Sequence, residues 1–371
     1  MSRIPTLTHI FAAGNDGENC GPELANLWGA EGYGSATNRS KNSIHVGAVD
    51  AYGQMSSFSS WGPQDDGRMF PTVCAKGVEV RSTIPGNAYG VMDGTSMACP
   101  TVTGHAALLS ERYTQLNPGA EIPSALLRGV LANTATDAGR PGPDFQYGYG
   151  IMNAERAAIA IESGWYAHGQ VATDEAKTHT IALPAGCAGV RIMLVWNDPE
   201  AQRAPAFGQR ALVNDLNLSL QIGGTTYLPW VCDHTKGNVE NAAERKVDSL
   251  NNIEQITLTA AELKGLPSLE VLVRGKAVPK GPQSYTLTWY IKTDTIRLVS
   301  PSGGQPVVPG EKAYVAVENV APPASIELSY DGGTSWLAVG ELNDGRKNTA
   351  TEVLIPANAP LVADALMRVV D

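Results

Sequence analysis

The run Asp93-Gly94-Thr95-Ser96-Met97-Ala98-Cys99-Pro100, continuing through Thr101, Val102, Thr103, Gly104 and His105 to Leu109, constrains this 371-residue chain more than any other stretch. A Gly-Thr-Ser turn feeding small and apolar residues predicts a sharp bend and then a buried helix, with Ser96 at the helix start. The first backbone N–H groups of a helix are unpaired and its dipole is positive there, so negative charge developing near Ser96 is favoured. Pro100 is expected in the first turn, where its missing N–H costs little. Gly104 and the alanines leave room for neighbouring elements to press closely on this helix. Taken alone, Ser96 would read as a helix cap, a position that Ser favours.

A second stretch changes that reading. Phe11-Ala12-Ala13-Gly14-Asn15-Asp16-Gly17 ends an apolar run in a Gly-flanked turn. An Asn amide is a neutral donor that can be aimed at a developing oxyanion without a competing ion pair. By itself Asn15 would be an ordinary turn residue. Together the two stretches resemble the subtilisin-like serine proteases, the subtilases of peptidase family S8. Gly94 to Pro100 resembles their nucleophile motif, and Phe11 to Gly17 the segment with the side-chain donor of the oxyanion hole. The resemblance implies Ser96 as nucleophile, and Asn15 with the Ser96 backbone N–H as oxyanion donors. It also implies Ala12, Ala13 and Gly14 as one wall of the pocket for the residue before the scissile bond.

Further stretches extend the likeness over roughly residues 6–161. Phe58-Ser59-Ser60-Trp61-Gly62-Pro63 is similar to a family segment, and Asp144 through Tyr147 to Ala154 resembles the family's closing turn and final helix. Lys76 departs from the pattern, standing where the family has Pro, and affects only a local turn. Residues 1–160 alternate strand-like and helical runs, the pattern of an α/β sheet. Expected strands are Leu7–Ala13, Ser43–Val49, Val80–Ile84 and Tyr89–Met92. Ser124 is expected to cap a helix over Ala125–Ala132, and a last helix should run from about Asn153 to Ile161.

The chemistry needs more than these residues. A serine hydroxyl is too weak an acid to attack an amide unaided, so Ser96 needs a base, and the base an orienting acid. In subtilases both come from an Asp turn and a His-Gly-Thr helix start upstream of the oxyanion Asn, and nothing before Asn15 resembles either. The six histidines are poor substitutes. His105 lies on the helix of Ser96, roughly 13 Å along its axis, and His9 about 20 Å back along an extended run. His45 is expected inside a strand, and His168, His179 and His234 fall in the following domain. The chain is therefore expected to be the C-terminal part of a longer secreted or cell-surface protease. Its partners would be a polypeptide substrate and the N-terminal half of the catalytic domain, and alone it should be inactive. The reading from another functional class is a binding or scaffold protein derived from a degraded protease.

Composition narrows the choice of partners. A net charge of −10 with no basic block argues against nucleic acid. No window approaches the apolar length of a membrane span. Five scattered cysteines form neither a CxxC metal pair nor a disulfide framework, leaving buried thiols with room for one incidental disulfide.

Past about residue 165 short strand-like runs separated by Gly, Pro, Asn and Asp predict all-β structure. The expected fold class is a partial three-layer α/β domain (1–164), a jelly-roll β-barrel or sandwich (165–293) and an immunoglobulin-like β-sandwich (294–371). Leu194–Asp198 and Leu212–Leu218 resemble the β-barrel domain that follows the catalytic domain in some bacterial alkaline subtilases. Asp248, Asn251 and Glu254 resemble that domain's calcium turn, and oxygen ligands suit Ca²⁺. Asx residues capping a turn is the simpler alternative. No cofactor is expected for catalysis.

Overall fold

The computed structural model describes residues 4–17, 20–36, 40–201, 208–301, 306–343 and 349–370. Two compact units divide the chain at residues 292 and 293.

Unit 1 begins with a parallel sheet of three strands, β1 (Ile10–Ala12), β2 (Ile44–Val49) and β3 (Val73–Lys76), with helix α1 (Pro22–Trp28) in the first connection. Ile10 faces Ile44 and Ala12 faces Val46 across one pair; Val46 faces Val73 across the other. Every residue of β2 is buried, as expected of a strand covered on both faces. β4 (Val80–Ile84) and β5 (Ala88–Met92) form an exposed antiparallel pair that leads the chain to α2 (Thr95–Leu116). Thr95, Ala98, Val102, Ala106, Leu109 and Tyr113 recur at helical spacing as the buried stripe of α2, which packs on the sheet.

Three details of the sequence reading are corrected here. α2 starts at Thr95 with Gly94 as its cap residue, so Ser96 lies inside the first turn and caps nothing. Pro100 is the sixth residue of the helix, beyond the first turn, and leaves the Ser96 carbonyl without its usual intrahelical donor. Ser124 is the first residue of α3 (Ser124–Asn133), not its cap; its hydroxyl accepts from Asn197 Nδ2 at 2.7 Å. The last helix, α4 (Ala154–Glu162), is capped by the Asn153 side chain accepting from Arg156 N at 2.9 Å.

α3 is buried along its whole length because it is shared by two layers. One side joins the core under the parallel sheet; the other meets the β-rich half of unit 1. A Cβ on Gly129 would stand 3.0 Å from Thr288 and 3.1 Å from Val195, so any larger residue here would make these neighbours give by a few tenths of an ångström. The β-rich half contains β6 (Tyr166–Val171), β7 (Ala176–Ala182), β8 (Cys187–Trp196), β9 (Asp215–Ile222), β10 (Thr225–Tyr227), β11 (Trp230–Val231), β12 (Glu244–Arg245) and β13 (Ile253–Thr259). A short helix, α5 (Ala260–Leu263), then precedes β14 (Ser268–Ala277) and β15 (Gln283–Thr293). Two antiparallel sheets result, ordered β13-β8-β15-β6 and β10-β9-β14-β7, with one core drawn from both. Both sheets remain open-edged among the described residues, so the expected closed barrel is not formed.

Unit 2 consists of β16 (Arg297–Ser300), β17 (Lys312–Glu318), β18 (Ala324–Ser329), β19 (Leu337–Leu342), β20 (Thr349–Leu354) and β21 (Leu366–Val370). They form sheets β16-β17-β20 and β19-β18-β21 around Val315, Val317, Ile326 and Leu328. The Asp331-Gly332-Gly333 turn joins β18 to β19 as the hairpin signal predicts. No described helix is long and apolar enough to cross a membrane.

Candidate active site

The site forms where β1 ends and α2 begins. Ala13 N continues the sheet by donating to Val46 O at 2.9 Å, after which Gly14 turns the chain at φ 111°, a conformation that favours glycine. Gly14 O accepts from Ser60 N at 2.9 Å, and Asp16 N donates to Ser60 Oγ at 3.1 Å. This clamp leaves Asn15 exposed at the strand end. Ala13 is fully buried, whereas Ala12 and Gly14 are half-buried beside it.

Thr95 joins the two elements. Its backbone N–H and its hydroxyl both donate to Asn15 Oδ1, at 2.9 and 2.8 Å, and Thr95 Oγ1 accepts from Gly14 N at 3.2 Å. An amide N–H can only donate, so the Asn15 atom facing it must be the carbonyl oxygen. That fixes the amide's orientation and leaves Nδ2 as the outward donor.

The start of α2 is equally constrained. Gly94 adopts φ 148° and its N–H donates to Gly77 O at 2.8 Å, while Gly77 N donates to Val49 O at the end of β2. Of the first N–H groups of the helix, that of Thr95 goes to Asn15, and those of Met97 and Ala98 go to Gly94 O at 2.9 and 3.3 Å. The Ser96 N–H is the one left without an acceptor among the described residues. A Cβ built on Gly94 would lie 3.5 Å from Asn15 Nδ2 and 3.6 Å from Ser96 N. Asn15 Nδ2 and the Ser96 N–H, neither with an acceptor among the described residues, thus both lie near one position beside Gly94, which Met97 Sδ also borders at 3.6 Å, next to an exposed Ser96. Such a pair suits an oxygen that gains negative charge.

Among the described residues no histidine bonds the Ser96 hydroxyl. His105 Nδ1 is 2.7 Å from Thr101 O on its own helix, and His45 Nε2 is 3.1 Å from Ser43 Oγ. His168 and His179 bond Thr286 and Tyr285 in the β-rich half, His9 stacks on Phe11, and the His234 ring lies against Gly67. All five cysteines are free thiols, and burial raises Cys99, the one nearest Ser96 in sequence.

Asp248 and Asn251 commit their oxygens to protein donors, while Glu254 Oε1 is buried with no hydrogen-bond partner among the described residues. Asp248 Oδ1 accepts from the N–H groups of Leu250 (2.8 Å) and Asn251 (3.0 Å), and its Oδ2 from Asn251 Nδ2 (2.7 Å). Asn251 Oδ1 accepts from Met69 N and Glu254 Oε2 from Leu218 N, each at 2.7 Å. A calcium ion takes about six to eight oxygen ligands, more than these three side chains supply by themselves. Burial raises the carboxyls of both Asp248 and Glu254, the latter further because Asp248 lies beside it. Asp248 and Asn251 cap their turn, Glu254 holds Leu218 N on β9, and among the described residues no cluster of three His, Cys, Asp or Glu side chains is placed to hold a metal.

Sequence reasoning missed Thr95 as the residue that aims Asn15. Its place beside Ser96 was visible, but a bond spanning 80 positions in sequence has no local signal.

Comparison with known proteins adds the context. Residues 5–150 match the subtilase family. Subtilisin DY of Bacillus licheniformis is 42% identical over 115 residues, covering 31% of this chain and 36% of the relative. Subtilisin Savinase of Lederbergia lenta is 39% identical over 131 residues, covering 35% and 43%. The chain thus spans well under half of each of these relatives. The solved structure of the self-cleaved protease domain of PatA is 23% identical over 43% of this chain and 51% of its own, with a TM-score of 0.33, too distant to carry an argument.

Proposed function

We propose, from the match of residues 5–150 to the subtilase family, that Ser96 is the nucleophile of a serine endopeptidase site. In this reading the Ser96 oxygen attacks a peptide carbonyl carbon, and its proton passes to a base. The carbonyl oxygen, now negative, is held by Asn15 Nδ2 and Ser96 N. The C–N bond then breaks, the leaving amine takes the proton back, and water hydrolyses the acyl-enzyme. Ala12 and Gly14, with Ala13 buried behind them, form one wall beside the residue before the scissile bond. The observation that carries this reading is the proximity of Asn15 Nδ2 and Ser96 N, 3.5 and 3.6 Å from the same position beside Gly94.

The base is not one of the six histidines of this chain, each of which is engaged or placed elsewhere. Hydrolysis at Ser96 therefore depends on an imidazole and its acidic partner from another polypeptide segment. The two four-stranded sheets of unit 1 fit a jelly-roll reading, and unit 2 an immunoglobulin-like sandwich, both as accessory modules.

The test is labelling of the purified 371-residue chain by a fluorophosphonate. No adduct at Ser96 is expected over hours at neutral pH. Stoichiometric labelling at residue 96 would show that a base exists within the chain and would overturn the assignment of base and acid to another segment.

A further inference from the structure

Away from Ser96, the most highly charged interior of unit 1 lies where β2, α3 and the loop around Arg68 meet. Ser43, His45, Arg68, Thr72, Arg128 and Tyr149 border a cavity of about 30 Å³ there. Arg128 is only 2% exposed, and no carboxylate stands within ion-pair distance of it among the described residues. Its Nη1 donates to Lys41 O at 2.5 Å and its Nη2 to Trp196 O at 2.7 Å, while its Nε has no acceptor. Arg68, 5% exposed, borders the same cavity and is paired through Nε with Asp66 at 2.8 Å. Lys41 also borders this space and is paired with buried Asp198, so among the described residues three cations (Lys41, Arg68 and Arg128) stand there with the carboxylates of Asp66 and Asp198.

A buried cation held only by carbonyl dipoles costs several kcal/mol relative to one with a counter-charge. We propose that this cavity binds one halide-sized monovalent anion, chloride being the abundant one, against Arg128 Nε and in the joint field of Arg128 and Arg68. Size selects the class. The space is small, and a monatomic ion asks less of it than phosphate or sulfate would. His45 borders the same space, and its imidazole is held down to about 3, first by burial and then by Arg68 and Arg128.

The test uses the full chain. Its melting temperature is measured while sodium gluconate is replaced by sodium chloride at a constant ionic strength of about 0.15 M, and crystals grown in sodium bromide are measured at the bromine edge. Expected are a saturable rise of roughly 2 °C or more with chloride and an anomalous peak within contact of Arg128 Nε. Arg128→Met, where it folds, should lose the chloride response. A melting temperature indifferent to chloride, or water alone beside Arg128 in bromide crystals, overturns the proposal.

Discussion

Ser96→Cys is expected to turn the chain into a slow acyl acceptor that needs no external base, and Asn15→Leu in that background should cut the acylation rate about a hundredfold. Removing a side-chain oxyanion donor costs about a hundred- to a thousand-fold in a subtilisin, which is the family magnitude assumed here. A thiol ionises near pH 8.5 unaided, and the start of a helix lowers that value, so residue 96 would carry its own nucleophilic thiolate. With p-nitrophenyl acetate the sulfur attacks the carbonyl carbon and p-nitrophenolate leaves, its absorbance giving the rate. Asn15→Asp separates placement from chemistry. The carboxylate keeps an oxygen acceptor for Thr95 N and Oγ1, yet sets a second oxygen where Nδ2 stood. It should be at least as slow as Asn15→Leu. Asn15→Asp acylating as fast as the parent would mean that Nδ2 does not face the reacting carbonyl.

The second large effect is on stability. His45 is 3% exposed, and its imidazole is held down to about 3 from 6.5 by burial, with Arg68 and Arg128 adding to the effect. Its folded pKa is depressed, so the folded state binds fewer protons than the unfolded chain. The associated stability is complete above pH 6.5 and is withdrawn as pH falls toward 3, at about 1.4 kcal/mol per unit. That is about 2 kcal/mol by pH 5 and about 5 kcal/mol in full. The buried carboxyls of Asp248 and Glu254 act in the opposite sense, since burial raises them, so parent and variant must be compared. In chloride-free buffer, the parent's urea midpoint should fall between pH 7 and 5 more steeply than that of His45→Asn, whose side chain cannot titrate. Parallel slopes would place His45 in contact with solvent.

These two residues show what local sequence carries and what it does not. The β2 run Ile44–Val49 and the α2 stripe from Ala98 to Tyr113 were readable because burial imposes periodicity on apolar residues. The Asx and Gly-Gly turns were readable because they need special backbone angles. Ser96 and Asn15 stood out through their neighbours. The helix start was misplaced by one residue because Gly94, with its positive φ, ends the extended chain earlier than the Thr-Ser pair suggests. Strand β6 carries little sequence signal, because its Tyr166-Ala167-His168-Gly169-Gln170 run alternates weakly and lies at the sheet edge beside β15. The interior charges around Arg128 were illegible too. Arg128 sits in a helix that reads as amphipathic, and only the second layer on its far side buries it.

The central claim is that one carbonyl attached to residue 96 meets both Asn15 Nδ2 and Ser96 N. Infrared difference spectra of the Ser96→Cys chain carrying a ¹³C=O acyl group on the sulfur measure this directly, because donors that grip the oxygen lower the carbonyl stretching frequency. The account predicts a lowered, narrow band that moves up and broadens toward the free thioester value when Asn15 becomes Leu. A band at the solvent-exposed frequency in the parent, unmoved by Asn15→Leu, would contradict it.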